Sequence, residues 1–243
     1  MRNIILITLI ILASDFSFAT SYDTVLVKKV IANLKLEKTD CFERLITLKE
    51  IPNSSNEAIV VIPKIAEHGE GYLVLDSYIV IVNKFTGEII SRYFEEKAWH
   101  SDAVYLESIE IDTAPYLVHK NYRAFGLRLN YYVRSHATIY SSTTLSLFIK
   151  VGNNIENILK NFTVKLSNGE SDTNCNGYVE DHQKILIVSK NKTNDFFDIL
   201  VKDSITKTTT EEVDGDCKDV KVEKSKESAL LKFIDGKYSK QNN

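Results

Sequence analysis

The side chains best suited to acid–base chemistry gather in residues 95–102, near the middle of the chain. His100 and Asp102 stand two positions apart, and a carboxylate beside an imidazole orients the ring and makes it more basic. Together with Trp99 they are our candidate binding residues, and a secreted hydrolase could use the same loop. We favour a polar connecting loop whose Trp99 packs on a sheet edge, because the chain lacks a G-x-S-x-G nucleophile motif.

A second group of polar side chains matches the beginning of a calcium-binding loop. Asp172, Asn174 and Asn176 fall at its first, third and fifth positions, and Gly177 permits the sharp turn that follows them. The last ligand position holds Gln183 instead of a glutamate that would bind through both oxygens. We therefore expect no cofactor, with calcium at these three residues as the alternative; the same residues also suit an Asx-type turn.

The beginning of the chain has the features of a secretory signal peptide. An arginine precedes an apolar run over residues 4–12, and Ser17 and Ala19 are small residues before a cleavage site. The run is shorter than the roughly 20 residues of a membrane span, which favours a cleaved signal over an uncleaved anchor. We predict a signal peptide over residues 1–19, then one β-rich domain over residues 20–243 without a transmembrane segment, in the periplasm or secreted.

Three cysteines would then meet an oxidising compartment, where two of them are expected to pair. Cys175 and Cys217 lie in Asp-, Asn- and Gly-rich loops that flank two predicted strands, so the sequence predicts a disulfide between them. Cys41 is left over and is interpreted as a small buried hydrophobe. The alternative, a nucleophile or an intermolecular bridge, has no supporting residues nearby.

Composition narrows the class of partner. The chain carries 30 Lys and Arg against 33 Asp and Glu, a net charge of −3, which is no electrostatic footprint for nucleic acid. It holds 12 Tyr and 11 Phe but only 3 Pro, a composition typical of a folded domain and not of a disordered chain. We expect a protein or a cell-envelope molecule as the partner.

Alternating and β-branched apolar runs predict an all-β fold of antiparallel hairpins. The clearest hairpin joins residues 78–82 and 89–94 through a turn at residues 83–87, where Gly87 can adopt a positive φ. Residues 23–37 place apolar side chains at helical spacing and predict a short helix, with a strand as the alternative. The other strand signals cover residues 45–51, 58–65, 104–112, 122–132, 144–151, 155–166, 184–189, 196–201 and 230–238. Short strands in this rhythm suit a β-sandwich or a small propeller.

Two short stretches resemble known secreted families. Residues 85–90, Phe-Thr-Gly-Glu-Ile-Ile after an apolar strand, resemble the blade hairpins of PQQ-type β-propellers. Residues 194–201, Asn-Asp-Phe-Phe-Asp-Ile-Leu-Val, resemble the repeats of FG-GAP-like secreted proteins, in which a turn and an aspartate precede an apolar strand. The resemblance implies a propeller-like arrangement of strands, and it transfers neither a cofactor nor an active site.

The function that these observations favour is that of an exported, non-enzymatic binding protein, including an inhibitor or immunity-type protein that neutralises a secreted enzyme. The alternative is a secreted hydrolase that works through residues 99–102. A hydrolase needs a second carboxylate or a hydroxyl nucleophile within hydrogen-bond reach of His100 in a concave pocket, so the two classes differ in a feature that a structure can display.

Overall fold

The computed structural model describes residues 21–135, 137–172 and 174–240, so the predicted signal peptide lies outside the described residues. Within them, twelve strands join in one hydrogen-bonded sheet behind a single α-helix, which confirms the prediction of an all-β fold with a short N-terminal helix. In chain order the elements are α1 (Ser21–Asn33), β1 (Thr47–Glu50), β2 (Glu57–Gly69), β3 (Tyr72–Asn83), β4 (Ile89–Ser101), β5 (Val104–His119), β6 (Tyr122–Val133), β7 (Thr138–Val151), β8 (Asn154–Ser171), β9 (Gly177–Thr193), β10 (Phe196–Val213), β11 (Asp216–Ile234) and β12 (Lys237–Lys240). Two short 3₁₀ turns, Lys38–Asp40 and Glu43–Leu45, connect α1 to β1.

The strands pack in three layers, as sheets do in a sandwich. β1–β4 form the first layer, β5–β7 with the beginning of β8 form the middle one, and β9–β12 form the third. Odd-numbered side chains of β6 such as Leu127 face the first layer, whereas Leu145 and Leu147 of β7 face the third. Because successive side chains of a strand point to opposite faces, the middle layer supplies apolar contacts on both sides.

The β2–β3 hairpin is buried on both faces. Ile59 and Ile79 point toward the middle layer, whereas Val60 and Val80 point outward and are covered by α1. Leu26, Val30 and Ile31 of α1, at the spacing of one helical face, complete this outer cluster. Double-sided burial explains why these strands appear in the sequence as nearly unbroken apolar runs.

The predicted turn between β3 and β4 is confirmed. The carbonyl of Asn83 accepts a hydrogen bond from Gly87 N–H at 2.8 Å, and the Asn83 side chain accepts bonds from Phe85 and Thr86 N–H. Gly87 has a φ of +77°, and an added Cβ would lie 2.7 Å from the Cβ of Lys29 on α1. Glycine thus lets the turn close and lets the helix approach it.

β8 is the corner at which the sheet folds over. Its first part pairs with β7 in the middle layer, and from Lys165 onward it also pairs with β9 in the third layer. The pairing of β7 with β8 shifts register between Thr143 and Thr144, close to this corner, as expected where a bulge bends a strand. The first layer joins the same strand through a single parallel bridge between Arg92 and Asn154.

The third layer continues outward as a set of exposed strands. We call the C-terminal arm residues 177–184 of β9, 203–213 of β10 and 216–228 of β11. Every β11 residue in this arm is exposed. A disulfide between Cys175 and Cys217 ties its tip, with a Cα–Cα distance of 5.4 Å, which confirms the predicted pairing. Cys41 is free and buried, as predicted.

Among the described residues, no helix is both long enough and apolar enough to cross a membrane.

Candidate functional site

The structure separates the side chains that the sequence grouped in residues 95–102. This segment belongs mostly to strand β4 and is not a loop, because it pairs with β3 as far as Ser101. Trp99 is buried in the core between the first and middle layers, and His100 is exposed on the opposite face. Asp102 lies in the turn after β4, where its carboxylate accepts a hydrogen bond from Val104 N–H at 2.9 Å. In the described chain no hydrogen bond or ion pair joins His100 to Asp102.

The predicted calcium residues form a compact Asx-type turn. Oδ1 of Asp172 accepts hydrogen bonds from the backbone N–H groups of Asn174 and Asn176, both at 2.8 Å, and Oδ2 accepts one from the Asn176 side chain at 3.0 Å. These bonds, led by those from Asn176, lower the pKa of the Asp172 carboxyl. The turn positions Cys175 for its disulfide, and calcium binding at these residues stays a prediction.

A cleft of about 520 Å³ opens where the strands of the first and middle layers end. It lies beside the β4–β5 turn, so it includes Asp102 but neither Trp99 nor His100. Gly71, at a φ of +82°, turns the chain from β2 into β3 at one wall. The lining comprises Phe42, Arg44, Gly71, Tyr72, Leu73, Ser101, Asp102, Ala103, Tyr105, Leu106, Val133 and Arg134.

Aromatic rings and guanidinium groups alternate along this cleft. Arg44 lies 5.6 Å from the ring centre of Phe42 and 5.1 Å from that of Tyr105. Arg134 lies 4.4 Å from the Tyr105 ring and 5.7 Å from the Tyr132 ring, and the two tyrosines meet edge to face at 5.4 Å. We call these five residues the cation–aromatic ladder. Cation–π attraction holds both guanidinium groups against the rings.

The two arginines of the ladder use their donors differently. Arg44 donates hydrogen bonds to the carbonyls of Leu106 and Glu107, at 3.0 and 2.9 Å, and so fastens the 3₁₀ turn that carries it to the open edge of β5. Arg134 donates from Nε to the Tyr132 hydroxyl at 3.0 Å, while its side chain is exposed. The bond to Tyr132, with a smaller effect of Tyr105, raises the pKa of Arg134. The bond to Tyr132 and the contacts with the two rings therefore fix the position of the Arg134 guanidinium, and its terminal N–H groups can bind an anion.

Apolar side chains form the remainder of the cleft. Tyr72 is 47% exposed and so is accessible to a ligand, whereas Leu106 is buried. Leu73 and Val133 are half-buried. A cavity with an apolar lining and a few fixed polar groups is the usual form of a small-ligand or peptide-anchor site.

Sequence reasoning missed every ladder residue. A signal was present: Phe42 with Arg44, and Tyr132 with Arg134, have the same aromatic-x-Arg spacing, and arginine is scarce beside lysine in this chain. Residues two apart share a side in extended chain, as at the end of β6, which lets Tyr132 and Arg134 stack, whereas Arg44 reaches Phe42 from a 3₁₀ turn. The two pairs are far apart in sequence, however, and only the layering of the strands brings them to the shared ring of Tyr105.

No cluster of three or more His, Cys, Asp or Glu side chains suited to a metal ion occurs among the residues that the structure describes. Comparison of the chain with protein-family models, with curated proteins and with solved structures gave no match.

Proposed function

We propose that the protein is an exported, non-enzymatic binding protein whose ligand enters the cleft beside the cation–aromatic ladder. The observation that carries the proposal is the pair of guanidinium groups held against Tyr105 at the mouth of an apolar cavity. A site built in advance from stacked, hydrogen-bonded side chains loses little conformational freedom when a ligand binds. The expected partner is a protein or a cell-envelope molecule, and an inhibitor or immunity-type role fits such a site.

The chemistry of the cleft favours a ligand with an apolar or aromatic group next to a carboxylate. The apolar group would lie against Tyr72 and Leu73, and the carboxylate would receive hydrogen bonds from the terminal N–H groups of Arg134. Charge-assisted bonds of this kind are about twice as strong as those between neutral groups. Asp102, on the same cleft, would repel a second negative charge and so favours a ligand with one anionic end.

Export is part of the proposal, and it has two supports. The sequence over residues 1–19 has the pattern of a cleaved signal, and the disulfide between Cys175 and Cys217 is compatible with an oxidising compartment. Amino-terminal sequencing of the protein recovered from culture medium or periplasmic extract would test it. A mature chain that begins near Thr20 supports export, and an intact amino terminus in a cell-associated protein contradicts it.

The ligand chemistry can be tested with N-acetylphenylalanine and its neutral amide as probes in an NMR titration. We expect the carboxylate to shift signals of cleft residues and to bind more tightly than the amide. Arg134→Gln should weaken binding of the carboxylate by about tenfold, because a charge-assisted bond is lost. Arg92→Gln, which removes an exposed arginine on β4, is the matched control and should change nothing. Equal binding of both probes, or an unaffected Arg134→Gln variant, would contradict the proposal.

His100→Ala separates the proposal from a hydrolase that uses residues 99–102. His100 is exposed and lies outside the cleft lining, so this variant should keep the affinity for the probe and the stability of the fold. A captured ligand from periplasmic extract should likewise be retained by His100→Ala and lost by Arg134→Gln. A measured hydrolytic activity that disappears in a folded His100→Ala variant would replace the binding function with the hydrolase.

A further inference from the structure

We propose that the open edge of β11 receives an added strand from another protein, and that this strand carries carboxylates at alternate positions. Along Asp216–Leu230 the described strands pair with β11 on one side only, through β10, because β12 pairs only with residues 231–234. The other side presents backbone N–H and C=O groups. Such an edge is a template for an incoming extended segment.

The geometry of β11 suits this role over most of the arm. Its pairing with β10 is unbroken from Lys221 to Leu230, and the register shift lies nearer the tip, at Val220. All side chains from Asp216 to Ser228 are exposed, so an incoming strand meets no covering element among the described residues. A regular, uncovered edge lets main-chain bonds supply affinity while alternate side chains supply specificity.

The charges of β11 differ between its two faces. On one face Lys221 forms an ion pair with Glu223 at 3.0 Å, and Glu223 also stands opposite Lys207 of β10. On the other face Lys224 and Lys226 stand opposite uncharged residues of β10, and within the described chain neither forms an ion pair.

Two unpaired lysines at alternate positions would lie opposite every second residue of an added strand. Carboxylates at those positions would pair with them, and opposite charges placed directly across two strands are favourable.

A second copy of this chain places lysine against lysine when its β11 strand is centred on this pair. Antiparallel pairing of two β11 strands about Ser225 would oppose Lys224 with Lys226 twice, and pairing about Lys224 would oppose this lysine with itself. Lysines on an edge strand commonly prevent self-association in this way. In these two registers like charges meet, so the lysine face disfavours self-pairing and favours an acidic strand.

Synthetic peptides of about ten residues, the length of a long strand, can test the proposal on the full mature protein. One peptide alternates threonine with glutamate, a second alternates threonine with lysine, and a third alternates threonine with glutamate but has proline in place of the central threonines. We expect the first to bind and to slow hydrogen exchange along β11. The lysine peptide should not bind because its charge has the same sign as that of Lys224 and Lys226. The proline peptide should not bind because its central proline residues lack the N–H groups that would pair with β11.

The variant Lys224→Glu/Lys226→Glu should weaken binding of the acidic peptide by about tenfold or more, since two favourable cross-strand pairs become unfavourable. Lys28→Glu/Lys120→Glu, which makes the same change of charge at exposed positions on α1 and at the β5–β6 turn, should leave binding unchanged. Arg134→Gln should also leave it unchanged, because this edge is independent of the cleft. Equal binding of the acidic and lysine peptides, equal loss in both double variants, or a concentration-dependent dimer protected along β11 would overturn the proposal.

Discussion

The β2–β3 hairpin and the C-terminal arm are both antiparallel and are stabilised in different ways. The hairpin is buried on its two faces, between α1 and the middle layer, along residues 58–62 and 79–82, and all of these side chains are aliphatic. The arm has the same backbone pairing but exposes every side chain of β11 from Asp216 to Ser228, and a disulfide closes its tip. Backbone bonding alone therefore does not distinguish a rigid core from a projecting arm; what covers the faces does.

Matched isoleucine truncations should show the largest difference between the two regions. Ile79 in the hairpin is 1% exposed, and Ile185 at the base of the arm is 59% exposed. We expect Ile79→Ala to lower the free energy of unfolding by about 2–5 kcal/mol, because it removes buried methyl groups and leaves a cavity. Ile185→Ala should change it by no more than about 0.5 kcal/mol. Urea denaturation of both variants measures the contrast, and equal losses would contradict it.

Removal of the disulfide should affect the arm first. Cys175→Ser/Cys217→Ser is expected to lower stability by roughly 2–4 kcal/mol, since the bridge restricts the unfolded chain. Hydrogen exchange should accelerate in β10 and β11 while the β2–β3 hairpin keeps its protection. Non-reducing peptide mapping of the wild-type protein should recover the linked pair and a free, slowly alkylated Cys41. A Cys41 cross-link, or uniform acceleration of exchange across the chain, would contradict this division of the molecule.

Acid should weaken the middle layer through Asp112. Burial opposes ionisation of this carboxyl, but hydrogen bonds from Ala114 N–H, Arg128 and Tyr116 outweigh it, and the pKa of Asp112 is lowered in the fold. The ionised Asp112 therefore stabilises the fold at pH values above 3.8, the ordinary pKa of the carboxyl, and this stabilisation is lost as the pH falls through the lower pKa of the folded state. Arg128→Met should cost about 1–3 kcal/mol at neutral pH and reduce this acid dependence. Arg92→Met, at an exposed arginine, is the control for urea melts across acidic pH.

The smallest expected effect has the opposite pH dependence and lies in the arm. His182 bonds Asp203 through Nδ1 at 2.8 Å and Glu180 through Nε2 at 3.1 Å. The bond to Asp203 is the main cause that raises the pKa of His182 above its ordinary 6.5. The associated stability is fully present below 6.5 and declines as pH rises through the raised folded-state pKa. The protection of β9 amides, which is their exchange rate relative to the intrinsic rate at each pH, should decline over that rise in the wild-type protein but not in His182→Gln.

The strands and one turn could be predicted because their signals are local. Residues 78–94 contain two apolar runs and a glycine turn, and they form β3, the turn and β4 as expected. Residues 95–102 were wrongly predicted as a loop because β4 carries a bulge there: its pairing with β3 shifts register between Leu75 and Ser77, and Lys97 takes a positive φ. The bulge breaks the alternation of apolar and polar residues that marks a strand in the sequence. The helix ends at Asn33, before the predicted residue 37, because Lys35 takes a positive φ.

The cleft could not be predicted, because it depends on contacts between layers. Arg44 comes from the 3₁₀ turn before β1, Tyr105 from β5 and Arg134 from the end of β6. Alternation within a strand specifies which face a residue occupies, and it does not specify which distant strand ends beside it. Cys175 and Cys217 could be paired across a separation of 42 residues, since three cysteines allow few pairings and these two lie in polar loops that flank two predicted strands.

The order of the strands has a consequence for how the chain folds. From β5 to β12 each strand pairs with the next along the sequence, and β1 to β4 form a second such series, so most pairings close only a short loop. The exception is the junction of the two series, where β4 and β5 do not pair and a single bridge, Arg92 to Asn154, spans the gap. Each series can grow hairpin by hairpin as the chain emerges from the ribosome. We therefore expect the association of the two series through their shared apolar face to be the slow step of folding, because it closes the contacts that are most distant in sequence.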